Sequence, residues 1–271
     1  MTKIIPRDLI KHLEWNTGQE VPLSPPVTNP TPQNTGSFNK DNASYSFLEG
    51  DFGKQVLEEY KQLVQNEYQN TSALQELSFA DDVVKGSNPF ASILLNRILQ
   101  NHGRWVARPA DLERALGKGS INLNGTYGDS GLVLRSESNP NEYLAKNLAA
   151  QVKEKGYTVG GDAVMIPLAG LGLVYDSASP HDLIFQLTES SEIIYAPQLN
   201  KTNHGKKFNH ADEQGCPTFE DNGSRTLYSN EDNGLCRLFR CRDLGLGARD
   251  DDLADSDSSG RVVVCAEGTS L

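Results

Sequence analysis

His204, His210, Asp212, Glu213 and Cys216 crowd one polar stretch, where they could hold a metal or activate a nucleophile. Zinc needs three or four donors converging tetrahedrally, which CxxC or HxxxH spacings deliver readily. Neither spacing occurs here. Cys236 and Cys241 have four residues between them, and a regular strand would send them to opposite faces. Nucleophilic catalysis needs Ser or Cys beside a base and an oxyanion pocket, yet no GxSxG elbow is present. The GKGS at Gly117–Ser120 lacks the spacing of a phosphate loop, and Gly170–Gly172 reads as a turn. No catalytic residue, metal ligand or cofactor is therefore expected, although an enzyme with dispersed residues stays open as one reading. A second open reading is a calcium-stabilised structural or assembly protein. Asp255, Asp257, Ser259 and Gly260 match the first half of a DxDxSG loop, whose alternating oxygens and tight-turn glycine suit calcium. The twelfth position of that loop is Ala266, with Glu267 one residue late.

The strongest signal is compositional. From Cys236 to Ser259 the chain uses Arg but never Lys, and Asp but never Glu; Gln, Met and Trp are missing too. By composition alone, a run of this length would lack all five types in roughly one case in a hundred. The segment separates into two interleaved sets. Leu235, Leu238, Leu244, Leu246, Ala248, Leu253, Ala254, Gly260 and Val262–Val264 look structural. The other set is Cys236, Phe239, Arg240, Cys241, Arg242, Asp243, Gly245, Gly247, Arg249, Asp250, Asp251, Asp252, Asp255, Asp257 and Ser259. Strand alternation at 243–249 predicts the first set inward and the second outward. Every member of the second set can come from a codon with any first two bases and a pyrimidine third. Such codons cannot encode Lys, Glu, Gln, Met or Trp. Asparagine codons randomised at their adenines would leave this pattern.

On those residues the segment resembles the variable region of proteins diversified by retroelements. In that family a reverse transcriptase copies a template, with errors at adenine, into the 3′ end of a target gene. The closing GRVVVCAE resembles the family's final core strand. The resemblance covers about the last 35 residues. It implies a C-type-lectin-like fold from residue 120 onward, with the second set as an exposed ligand-binding face over a fixed scaffold. The ligand would be an unknown protein or saccharide, with Phe239, Arg240, Arg242 and Arg249 as the expected affinity anchors. The GGSW and PTEAEW-type motifs of the family's sulfatase-modifying-enzyme-like members do not occur here.

The elements that must carry this face read as α+β. Residues 6–15 fit a short helix, and the Pro-rich run 21–37 fits an extended connector or a ligand for a proline-recognising domain. Helices are predicted over 54–68, 89–99, 109–116 and 141–155 from apolar residues at 3–4 spacing. Strands are predicted at 121–127, 131–136, 163–168, 171–175, 183–187, 193–195, 226–228, 244–248 and 261–266, with a polar loop over 200–223. The expected organisation is a tail with a linker at 1–50 and a helical region at 51–119. A lectin-like domain at 120–271 follows, with its variable region at 235–260.

A net charge of −11 argues against a nucleic-acid binder and against docking on anionic membranes. No apolar run approaches the ~18–20 residues of a membrane span. The first residues are too polar for a signal peptide, so a cytoplasmic product is expected, with homo-oligomerisation left open. The four cysteines match no disulfide framework and are expected to be free thiols.

Overall fold

In the computed structural model, which describes residues 43–267, the chain enters as strand β1 (Ser44–Phe47) and turns at Gly50 into helix α1 (Gly50–Glu67). Val56, Leu57, Tyr60 and Val64 form the buried face of α1, as their spacing predicts. A small hairpin follows, β2 (Ser78–Ala80) and β3 (Val83–Lys85), then α2 (Pro89–Asn101), β4 (Arg104–Val106) and α3 (Pro109–Gly117). Asn88 caps α2 by accepting from the Ala91 N–H at 2.8 Å, and Pro89 suits the first turn. Beyond its expected Ile93, Leu94, Ile98 stripe, α2 is buried on nearly every side. The expected helix at 6–15 and connector at 21–37 lie outside the described residues.

The strand-rich part comprises β5 (Gly128–Leu134), β6 (Val164–Pro167), β7 (Leu171–Tyr175), β8 (Leu183–Leu187) and β9 (Ile194–Tyr195), with α4 (Glu142–Glu154) after β5. It continues with β10 (Lys207–Ala211), β11 (Pro217–Phe219), β12 (Arg225–Tyr228), β13 (Leu235–Arg240), β14 (Leu246–Arg249) and β15 (Val263–Ala266). Eight strands form one sheet in the order β11-β10-β12-β14-β13-β5-β6-β9, in which only β12 and β14 run parallel. The architecture is mixed α+β. Among the described residues, no helix is long and apolar enough to cross a membrane.

The centre of the sheet is covered on both sides. Leu132, Leu134, Val164, Ile166 and Leu235 pack toward α1, α2 and α4. Val133, Met165, Cys236, Leu238, Leu246 and Ala248 form a second core with Phe208 and Leu227. This double burial explains one difference from the sequence reading. The strand expected at 131–136 is β5, which starts earlier, at Gly128, because even its polar Asp129 and Ser130 are buried. The strand expected at 121–127 is instead a turn, with Gly125 at φ 78°. The expected polar loop at 200–223 contains the β10–β11 hairpin.

Residues on either side of position 120 share a sheet. β15 lies between β1 and β4, pairing antiparallel with both. Helices α1 and α2 also share one apolar core with β5, β6 and α4. The helical region and the strand-rich region are thus interlocked, and all described residues fall within one compact unit.

Candidate ligand-binding site

A concave site of about 460 Å³ opens where β13 and β14 meet the loop that follows them. Its floor is organised by Arg237, which is buried to 3% exposure. All five guanidinium N–H groups are used. Nε and Nη2 donate to the two carboxylate oxygens of Asp129 on β5, at 2.9 and 2.8 Å. Nη2 also reaches the Ser87 carbonyl, while Nη1 donates to the Asp252 and Asp255 carbonyls at 3.1 and 3.0 Å. Burial pulls the guanidinium pKa down, but Asp129 more than offsets this and holds it above its ordinary value. Ser87 completes the pair by donating its hydroxyl to Asp129 at 2.8 Å.

Phe239 lies close to two cations, its ring 5.4 Å from the Arg237 guanidinium and 5.2 Å from that of Arg249. Tyr127 meets it edge-on at 6.3 Å. The ring fits because its cross-strand partner is Gly247; a Cβ there would sit 2.6 Å from the ring. Gly247→Val is therefore expected to cost about 1–3 kcal/mol by overpacking, read as a lower urea midpoint. An unchanged midpoint would show that the ring has room to move.

The rim is made of charges. Arg249 pairs with Asp251 at 3.1 Å and Arg242 with Asp257 at 2.6 Å. Tyr228 donates its hydroxyl to Asp243 at 2.5 Å, and the Gly245 N–H donates to the other oxygen of Asp243. These bonds hold the Asp243 carboxyl below its ordinary value despite the opposing effect of partial burial.

Eight of the fifteen sequence-expected positions line this one cavity: Phe239, Cys241, Arg242, Asp243, Arg249, Asp251, Asp255 and Asp257. Asp250 and Asp252 are exposed on the adjoining loop, and Ser259 is half-buried with its hydroxyl on Asp257. Five positions expected to face outward are buried: Phe239, which still lines the cavity, and Cys236, Arg240, Gly245 and Gly247, which do not. On β13, residues 236, 238 and 240 share one face and 237 and 239 the other, so Cys236 and Arg240 point away from Phe239. Cys236 joins the second core. Arg240, 1% exposed, pairs with Glu113 on α3, which also takes two bonds from Arg225 at 2.8 and 2.6 Å. Burial lowers both guanidinium pKa values to about 10. Gly245 lies against the Thr226 carbonyl and the Tyr228 ring. Leu244, expected on a strand, occupies a turn at φ 63°, and β14 starts two residues later.

Sequence reasoning missed three lining residues, Tyr127, Tyr228 and Arg237. Arg237 had a usable signal, since it shares strand parity with Phe239. The two tyrosines lie outside the biased segment and carry none.

Among the described residues, no group of three or more His, Cys, Asp or Glu side chains is placed to hold a metal ion. His204 accepts from the Ser229 N–H at 3.1 Å, and His210 lies on the β10–β11 hairpin. In the DxDxSG loop, Asp257 Oδ1 accepts from Ser259 and Oδ2 from Arg242. All four cysteines are free. Burial pushes the Cys216 and Cys241 thiols up to about 12 and Cys236 to about 11, which keeps them protonated and poorly nucleophilic near neutrality.

Comparison with protein families, with curated proteins and with solved structures finds no match.

Proposed function

We propose that this chain is a non-enzymatic binding protein. Its ligand sits on the concave face formed by β13, β14 and the acidic loop at 250–259, whose residues are diversified by adenine-directed retroelement mutagenesis. The observation that carries the reading is the convergence of eight codon-compatible positions, drawn from strand, turn, strand and loop, on a single cavity. That size falls within the roughly 300–1,000 Å³ of small-ligand pockets. A rigid floor beneath interchangeable rim side chains is the arrangement diversified binders use. The C-type-lectin-like scaffold is part of the same proposal. It is supported by the closing segment, likened to a final core strand, which forms the middle strand of its sheet with Val263, Val264 and Cys265 buried.

Diversification then concentrates on the cavity and its rim: Phe239, Cys241, Arg242, Asp243, Arg249, Asp250, Asp251, Asp252, Asp255, Asp257 and Ser259. Sequencing the flanking DNA tests this. A near-copy of the 3′ segment, mismatched almost only at adenines and beside a reverse-transcriptase gene, is the expected result. Sibling genes that vary evenly along their whole length would overturn the proposal.

A further inference from the structure

The cavity's charges are not balanced. Arg237 has no donor left, and its charge is matched by Asp129 beneath it. Arg242 and Arg249 are each held by one carboxylate, Asp257 and Asp251. Two further lining carboxylates have no cation. Asp243 is held by the neutral Tyr228 hydroxyl and Gly245 N–H, with Lys207 acting on it only at longer range. The Asp255 carboxylate has no hydrogen-bond or ion-pair partner among the described residues. An anionic ligand would therefore find every cation in the cavity already paired and two carboxylates opposing it. A cationic ligand would find two carboxylates that no arginine holds.

We propose that this cavity receives a Lys or Arg side chain presented by a protein ligand. The proposal rests on the reading of the concave face as the ligand site. The bound ammonium or guanidinium pairs with Asp243 and Asp255, both of which line the cavity. The surrounding charge steers basic surfaces toward the cavity, in a chain whose net charge is already −11.

The test uses a random dodecapeptide library displayed on phage, selected against the full chain. Selected peptides are then synthesised and their Kd measured against variants. Enrichment of Lys and Arg is expected. Affinity should fall about tenfold or more in Asp243→Asn/Asp255→Asn. In the charge-matched control Asp51→Asn/Glu58→Gln, on the exposed surface of α1, it should change less than about twofold. Asn keeps the acceptor that Asp243 offers Gly245, so the fold is preserved.

A second variant, Arg242→Trp, separates the two claims, because it narrows the cavity mouth while making the site more negative. Peptides without basic residues that are lost on Arg242→Trp would overturn the cationic assignment and leave the concave face standing. Binding to a neutral-glycan array that is lost on Arg242→Trp but indifferent to Asp243→Asn/Asp255→Asn would do the same, in favour of a saccharide. Peptides that bind all three variants like the parent would overturn both the assignment and the underlying site.

Discussion

Arg237→Met should lower the free energy of unfolding by about 3–5 kcal/mol, the range expected when one partner of a buried ion pair is removed. The carboxylate left behind, Asp129, has no side-chain exposure. After the substitution only Ser87 would bond it. At the same time the Asp255 carbonyl would lose its donor, and the Asp252 carbonyl would keep only the Asp255 N–H. Urea unfolding followed by circular dichroism measures the loss. The double variant Arg237→Met/Asp129→Leu should regain more than half of it, because the buried charge is gone and the volume is apolar. The Asp255 carbonyl would still lack a donor, so recovery stays incomplete. A single-variant loss below about 1 kcal/mol would mean that the pair is not the keystone of the floor.

A chain beginning at residue 120 should not fold. The sequence invites that cut, because helices precede position 120 and short strands follow it. Yet the cut removes both neighbours of β15 and exposes the face of β5 and β6 that packs on α1 and α2. Leu132, Leu134, Val164 and Ile166 would all gain water, and each such side chain is worth about 1.5–3 kcal/mol when buried. Four of them together approach or exceed the roughly 5–15 kcal/mol that holds an average domain folded. The expected result is a polypeptide with no cooperative thermal transition and no near-ultraviolet circular dichroism. A sharp melt from the shortened chain would instead establish 120–271 as self-sufficient.

Local signals account for what the sequence reveals of this fold. Helix α2 announces itself through Asn88, Pro89 and a stripe of Ile and Leu, all contained within one element. Strands β7 and β8 stand out between turn residues and match their expected bounds. Strands β1 and β4 leave no such trace, because each is only three or four residues long and gains its stability from β15, far away in sequence. Strand β5 shows only its apolar end: Gly128, Asp129 and Ser130 read as a turn, yet they are buried and paired.

The candidate site divides along similar lines. Composition marks the right segment but cannot separate Arg240 from Arg249. Both fit the same codons, yet Arg240 turns inward because α3 offers it Glu113, a contact with no local signature. Arg237 shows the converse. Its partners lie on β5, in the segment before α2 and in the acidic loop, and only the folded chain brings them together.

That acidic loop is moored by its main chain. Besides the grip of Arg237 on two of its carbonyls, the Asn88 amide donates to the carbonyl of Ala254 at 3.1 Å. The Tyr127 hydroxyl accepts from the N–H of Asp257 at 2.9 Å. Of these anchors, none uses the side chains of Asp250, Asp251 or Asp255. Every residue but proline supplies the same N–H and C=O, so these anchors do not depend on which other side chains those three positions display. Aspartate there is replaceable, and the same backbone can carry a different set of side chains at those positions.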